Sequence, residues 1–179
     1  NTNVIEKLKK KRRRLQRQVS RKYQMNKKGE SYCKTSNVIK SEKQLLRINH
    51  RLTNIRTNHV HQATRAIINR KPRFVCLEDL NVQGMMKNKH LSEKVQEQNF
   101  YEFRRQIEYK AHWAKIPVVI ADRWFPSSKT CIECGHVNKD LKLSDRTYVC
   151  PVCGNVIDRD FQASLNLKRY GETELSKSV

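Results

Sequence analysis

The chain has 179 residues, with 38 Lys and Arg against 17 Asp and Glu, so it carries a formal net charge of +21. No apolar run approaches the roughly 20 residues of a membrane-spanning helix and no signal-peptide core is visible, so the expectation is a soluble intracellular protein rather than a helical membrane protein. With only 5 Gly and 4 Pro but 31% charged residues, one modest core with long, exposed, charged helices is expected.

The charge is uneven. Residues 1–70 hold 20 basic and 3 acidic side chains, whereas residues 71–179 hold 18 and 14. So localised a positive field is the footprint of a polyanion, and nucleic acid is the usual one. A merely solubilising face normally mixes both signs, and an anionic membrane surface calls for a broad apolar face that is missing here. The chain starts at Asn1 rather than Met, so this N-terminus is not expected to be the native start.

Residues 3–23 place Ile5, Leu8, Leu15 and Val19 at helical spacing, with Arg12 interrupting the stripe, which predicts an amphipathic helix. The basic run 9–14 lies on it, and Lys9, Lys10, Lys11, Arg12, Arg13, Arg14, Arg17 and Arg21 are the candidate phosphate-binding residues. MNKKGES reads as a turn. Over about 37–69, Leu45, Ile48, Leu52, Ile55, His59, Gln62 and Ala66 alternate steps of three and four, the spacing of a helix–helix seam. The two segments are expected to pair as a long antiparallel basic hairpin covering residues 1–70.

Pro72 stops the helix, and RFVCLE has the β-branched and aromatic character of a buried strand ending at Glu78 and Asp79. After a polar loop expected to be mobile around Gly84, residues 93–115 place Phe100, Phe103, Ile107 and Ala114 on one helical face, and IPVVIAD at 116–122 reads as a second buried strand. Strand, helix, strand predicts an α/β core over 71–130. FQASLNLKRY fits a short helix that closes the core over 154–170, and 171–179 reads as a frayed tail.

Between these lie two CxxC pairs, Cys131 with Cys134 and Cys150 with Cys153, separated by fifteen residues. Two thiolates two residues apart curl round one ion at about 2.3 Å, and two such knuckles complete a tetrahedron. A four-cysteine zinc ribbon over 131–153 is therefore predicted, structural because no coordination position is left open. Gly135 and Gly154 follow the knuckles, where unusual backbone angles are needed. Two disulfides are the competing reading, disfavoured in a reducing compartment. Cys76 reads as a core residue. The six histidines form no ligand set, and His136 adds nothing to a complete four-thiolate site.

The acids carry a second possibility. Two Mg²⁺ ions held by a few carboxylates at strand ends and helix starts can hydrolyse a phosphodiester. Glu78 ends a strand and Asp160 opens a helix, although either could be a surface residue, and Asp158 or Asp160 a helix cap.

Three stretches, VCLEDLNVQGMMKN, the segment from FRRQIEYKAHW to YVCPVCG, and DRDFQASLNL, resemble the OrfB/TnpB proteins of bacterial and archaeal insertion sequences, relatives of type V CRISPR effector nucleases. The resemblance runs over essentially residues 1–170 and implies α/β architecture: a partial RuvC/RNase H-like core with a long basic helical hairpin and an inserted four-cysteine zinc ribbon. It implies Glu78 as the second acid of an Asp-Glu-Asp triad and Asp160 as the third, both Mg²⁺ ligands, with Asp158 a neighbour and secondary candidate. It gives no such role to Asp79 or Asp122. Structural zinc, catalytic Mg²⁺, DNA and a guide RNA are the implied cofactors and partners, and a cytoplasmic, nucleoid-associated location the implied one. The family's first aspartate and early strands have no counterpart here, so the chain resembles the C-terminal part of a longer RNA-guided DNA endonuclease. The alternative from another class is a cleavage-inactive RNA- or DNA-binding fragment or regulator on the same scaffold.

Overall fold

The computed structural model describes residues 2–142 and 144–177. The chain divides into two compact units, Asn1–Val60 and His61–Val179, each treated in turn. No helix among the described residues is long and apolar enough to cross a membrane.

The first unit is a helical hairpin. Helix α1 (Thr2–Met25) and helix α2 (Ser36–Asn69), whose last turns belong to the second unit, are joined by a two-stranded antiparallel ribbon, β1 (Lys27–Lys28) and β2 (Ser31–Tyr32). The stretch read as a turn thus contains a small hairpin, closed by Gly29 at φ +59°, a left-handed angle that glycine adopts without a Cβ penalty. Leu15, Ile48 and Leu52 form the buried seam, flanked by Ile5, Leu8 and Leu45. Late residues of α1 meet early residues of α2: Lys22 Nζ donates to Ser41 Oγ at 2.7 Å and the Tyr23 hydroxyl to Glu42 Oε1 at 2.6 Å. The two helices therefore run antiparallel.

In the second unit, strands β3 (Val75–Glu78) and β4 (Val118–Ala121) pair in parallel, with Glu78 opposite Ala121. A parallel pair requires a long crossover, here α3 (Val82–Met86), α4 (Ser92–Gln98) and α5 (Phe100–Trp113). The stretch expected to be a loop around Gly84 is the single turn α3, capped by Asn81 Oδ1 accepting the Gly84 N–H at 2.9 Å. The single helix expected over 93–115 is broken at Asn99, which sits at φ 56° and ψ 42°, a left-handed conformation that asparagine tolerates better than most residues. Helix α5 buries Ile107 and Ala111 completely. It also buries Gln106, whose Oε1 accepts from Thr64 Oγ1 at 3.0 Å and from Lys110 Nζ at 3.1 Å while its Nε2 donates to Glu102 at 2.8 Å. The bonded Arg105 guanidinium, aided by Gln106 and opposed by burial, holds the Glu102 carboxyl down at about 2.

Strands β5 (Thr147–Val149) and β6 (Val156–Asp158) form an antiparallel pair, and β6 runs directly into α6 (Arg159–Lys177), which lies along both β3 and β4. This helix does not stop near residue 170. It continues through Gly171 to Lys177, because Gly171 is a buried contact point rather than a C-cap: a Cβ there would strike the Phe74 ring and come within 3.2 Å of Cys76 Cβ. Residues 178 and 179 of the expected tail lie outside the described residues.

Gly171→Ala is therefore expected to destabilise the protein. The helix-propensity gain of about 1 kcal/mol is set against an overpacking cost of about 1–3 kcal/mol, so the denaturation midpoint should fall. Thr173→Ala on the exposed side of the same helix should leave it unchanged or raise it. A Gly171→Ala midpoint above wild type would show that α6 does not lie this close to β3.

Candidate functional site

The two CxxC pairs fold into matching knuckles. In the first, Cys131 N–H donates to His136 O at 2.8 Å and Gly135 N–H to Cys131 O at 3.0 Å; in the second, Cys150 N–H donates to Asn155 O at 2.9 Å and Gly154 N–H to Cys150 O at 3.0 Å. Gly135 and Gly154 take φ +75° and +72°, so both turns need a residue without a Cβ. Cys131, Cys150 and Tyr148 are almost completely buried and form the small ribbon core with Leu141 and Ile157 beside them.

The turns bring four sulfurs from opposite ends of the ribbon to one point. Cys131 Sγ lies 3.6 Å from Cys153 Sγ, Cys134 Sγ lies 3.6 Å from Cys150 Sγ, and all four are within 4.8 Å of one another. Four sulfurs at about 2.3 Å from a tetrahedral ion stand about 3.8 Å apart, so the set fits a thiolate-binding metal. The electrostatics agree. The Cys153 and Val152 N–H groups hold the Cys150 thiol down at about 6 against the opposing effect of burial. Burial works against ionisation of Cys131, but the N–H groups of Cys134 and Glu133 outweigh it and lower its pKa. For Cys153 the Asn155 N–H favours the thiolate, yet burial and the sulfurs of Cys150, Cys134 and Cys131 push it up to about 12. Four thiols this close cannot all ionise without a cation among them.

The carboxylates are arranged differently. Glu78 stands at the C-terminal end of β3, where its Oε1 accepts the Ser127 hydroxyl at 2.5 Å. Ser127 belongs to the loop that follows β4, and that loop is held from α6: the buried Asn166 donates its amide N–H groups to Ser127 O at 2.8 Å and Thr130 O at 2.7 Å. Asp160 lies in the first turn of this same helix, 70% exposed, with Arg159 at 3.4 Å and Arg146 at 3.6 Å. Asp158 caps the helix, its Oδ1 accepting the Phe161 N–H at 2.8 Å, which satisfies one of the donors a helix start leaves open. Asp79 is spanned by Arg123 at 2.5 Å and Arg104 at 2.9 Å, and the Arg123 hydrogen bond leads the effects that lower its pKa. Asp122 Oδ1 accepts the Trp124 N–H at 2.8 Å. Among the described residues, no set of three or more His, Cys, Asp or Glu ligand atoms converges except the four cysteines. Sequence reasoning missed Ser127 and Asn166, since two polar residues 39 positions apart leave no local pattern.

On the hairpin, Lys10, Lys11, Arg13, Arg14, Arg17 and Arg21 are exposed, whereas Arg12 is half-buried beside the seam. Lys9 is also largely covered, with 17% of its side chain exposed and Glu6 at 3.6 Å.

Residues 100–167 match the family described as Cas12f1-like, TNB domain. The chain is 36% identical over 158 residues to the "Putative RNA-guided DNA endonuclease" of Streptomyces pristinaespiralis, covering 88% of this chain and 37% of that protein. It is 29% identical over 189 residues to the "Putative RNA-guided DNA endonuclease InsQ" of Escherichia coli K12, covering 97% and 44%. Its fold matches a chain in the cryo-EM structure of the Cas12f1-sgRNA-target DNA complex, with a TM-score of 0.57 and 20% identity over 70% of this chain and 37% of that one. Further relatives are named TnpB-like. The resemblance to the OrfB/TnpB family is borne out, and the chain spans less than half the length of these relatives.

If the Asn166 amide closes the loop after β4, Asn166→Ala should cost about 1–3 kcal/mol by stranding two carbonyls. Asn166→Asp should cost more at neutral pH, because it turns a carboxylate toward the same oxygens. Urea midpoints test this, and wild-type midpoints for both variants would remove the clamp.

Proposed function

We propose that the chain is the C-terminal part of an OrfB/TnpB-type nuclease, in full length an RNA-guided DNA endonuclease that cleaves by two-metal phosphodiester hydrolysis. One observation carries this reading. Glu78 is exposed but held: Ser127 bonds it at the strand end, and the loop bearing Ser127 is tied by Asn166 to the helix whose first turn bears Asp160. An acid at a strand end and an acid at a helix start, joined by a rigid connection, suit a site that must hold ions in fixed positions. We read β3, β4 and α6 as part of a RuvC/RNase H-like core on this basis.

Glu78 and Asp160 would hold Mg²⁺, whose chemistry is to polarise the phosphate and lower the pKa of an attacking water. A third carboxylate, implied by the resemblance, would come from outside these 179 residues. Asp158 is the secondary choice for a ligand, because the resemblance matches Asp160 to the third acid and Asp158 caps the helix. The four cysteines would bind structural zinc, the tetrahedral thiolate ion of ribbons like this one. The exposed Lys and Arg side chains of α1 would grip phosphates of guide RNA or DNA. The matched Cas12f1 structure contains an sgRNA and target DNA, which supports nucleic acid as the partner and fits a cytoplasmic, nucleoid-associated protein.

A second reading is a binding fragment or regulator that does not cut; what supports it is that the resemblance matches two acids of its triad, Glu78 and Asp160, to positions in this sequence and gives the first no counterpart.

The test is a version extended upstream to include an aspartate-bearing strand and supplied with its guide RNA. It should cleave DNA in Mg²⁺, and Glu78→Ala or Asp160→Ala should abolish cutting while binding persists. Asp158→Ala should cut at a reduced rate and lose about 1 kcal/mol of stability with its cap. Loss of cutting in Asp158→Ala with activity retained in Asp160→Ala would reverse the ligand assignment, and specific cutting by the 179-residue chain alone would overturn the fragment reading.

Protein purified without added metal should contain one zinc per chain, a ratio that elemental analysis reads directly. Nucleic-acid affinity should fall steeply with salt. Changing Lys10, Lys11, Arg13 and Arg14 to Gln should flatten the slope of log K against log salt by up to about 0.9 per side chain that meets a phosphate. An unchanged slope would place these side chains in solvent.

A further inference from the structure

Trp124 is 84% exposed, which makes it the most exposed of the large hydrophobic side chains on the described surface. A ring of this size left in water calls for a partner, because covering an aromatic side chain is among the largest single gains in burial energy. Its chain neighbours Asp122 and Arg123 are exposed and charged, and Phe125 turns inward against Tyr170 with ring centroids 4.8 Å apart.

The backbone under it is held at several points. Asp122 Oδ1 takes the Trp124 N–H at 2.8 Å, Asp122 O takes the Phe125 N–H at 3.0 Å, and Phe125 O takes the Ser127 N–H at 2.8 Å. The Tyr170 hydroxyl accepts the Asp122 N–H at 3.3 Å. The inward Phe125 and the outward Trp124 are consecutive, so anchoring one displays the other. Three residues on, Ser127 holds Glu78. A single short loop therefore presents an aromatic face and positions the candidate metal-binding acid.

We propose that Trp124 is a stacking platform for an unpaired nucleobase of the strand that reaches Glu78. The proposal rests on the nuclease reading above and deepens it. A nucleobase is the ligand that suits this setting: it offers a flat π-face for the indole, its phosphates suit a chain of net charge +21, and stacking tolerates any base. Paired bases already stack on their neighbours, so the platform selects a single strand over a duplex. Holding the ring in place beforehand lowers the ordering cost of binding.

The chain has two tryptophans, so the full 179-residue chain carrying Trp113→Phe reports Trp124 fluorescence alone. Oligothymidylate and oligouridylate of roughly 12 nucleotides, a length within the range one such groove covers, should quench that emission. A blunt duplex of equal length, bound to the same saturation by anisotropy, should not. The comparison between the two single strands tells whether the DNA strand or an RNA strand stacks. Trp124→Ala should weaken single-strand affinity about fivefold or more with duplex affinity unchanged, and Trp124→Phe should restore most of it.

Single-strand binding without quenching, or wild-type affinity in Trp124→Ala, overturns the platform while leaving the nuclease reading intact. The ring would then be a contact for protein outside these 179 residues. Failure to bind any nucleic acid at low salt overturns both.

Discussion

Asn166 resolves a problem that the ribbon creates. The chain leaves the core at about Thr130, makes two knuckles, and returns through β6 into α6. An insertion of this size gives the core no covalent reason to keep its departure and return points in register. The Asn166 amide supplies one by donating to Ser127 O and Thr130 O, two carbonyls on the departing side, from a buried position on the returning helix. Stranding these groups in the interior would be costly, so the bond is maintained as long as α6 lies on the strands. Gly171, further along the same helix, lets it lie that close. Glu78 depends on the same arrangement through Ser127, and so does the loop that displays Trp124.

The ribbon solves its own problem with charge. Its core is Tyr148 against two cysteines, with Leu141 and Ile157 beside them, far too little apolar area to order a segment of this length alone. The knuckle N–H groups favour thiolates at Cys131 and Cys150, while Cys153 is pushed up to about 12 largely by burial and its sulfur neighbours once its own N–H partner is overcome. The same backbone that invites negative charge thus brings together more of it than the site can hold unaided. A bound cation would remove the conflict, and its binding energy would then be folding energy for the ribbon. The buried Tyr148 hydroxyl, its pKa raised by burial and then by the Cys150 sulfur, stays neutral and contributes bulk.

Legibility in the sequence followed the range of each interaction. The CxxC pairs could be read because a knuckle is built from adjacent residues, and their glycines fall where the backbone needs φ near +75° and +72°. The strands could be read because VCLE and VVIA leave little else for a β-branched run to do. The break at Asn99 was hidden, since the apolar residues that predict the helix, Phe100, Phe103 and Ile107, all lie after it and only the local angle shows the stop. The run of α6 past residue 170 was hidden because a polar terminal stretch reads as a frayed tail, and only the contact of Gly171 with Phe74 reveals the packing. Ser127 and Asn166 were invisible for a different reason. A serine in a loop and an asparagine in a helix acquire meaning only when the fold brings them within 2.8 Å.

Charge and rigidity are divided along the chain. The excess of positive charge belongs mainly to residues 1–70, and on α1 Lys10, Lys11, Arg13, Arg14, Arg17 and Arg21 are exposed. Such a charge would attract any polyanion without reading sequence, because phosphates carry the charge it would meet. In the second unit the basic and acidic residues are closer to balance, and several are spent on each other: Arg104 and Arg123 on Asp79, Arg105 on Glu102. These pairs contribute little to long-range attraction; the two on Asp79 tie α5 and the loop after β4 to the end of β3, and Arg105–Glu102 lies within α5. Asp79 keeps Arg104 and Arg123 occupied beside Glu78, whereas the exposed Asp160 has Arg159 at 3.4 Å and Arg146 at 3.6 Å, so the two candidate acids stand in different fields.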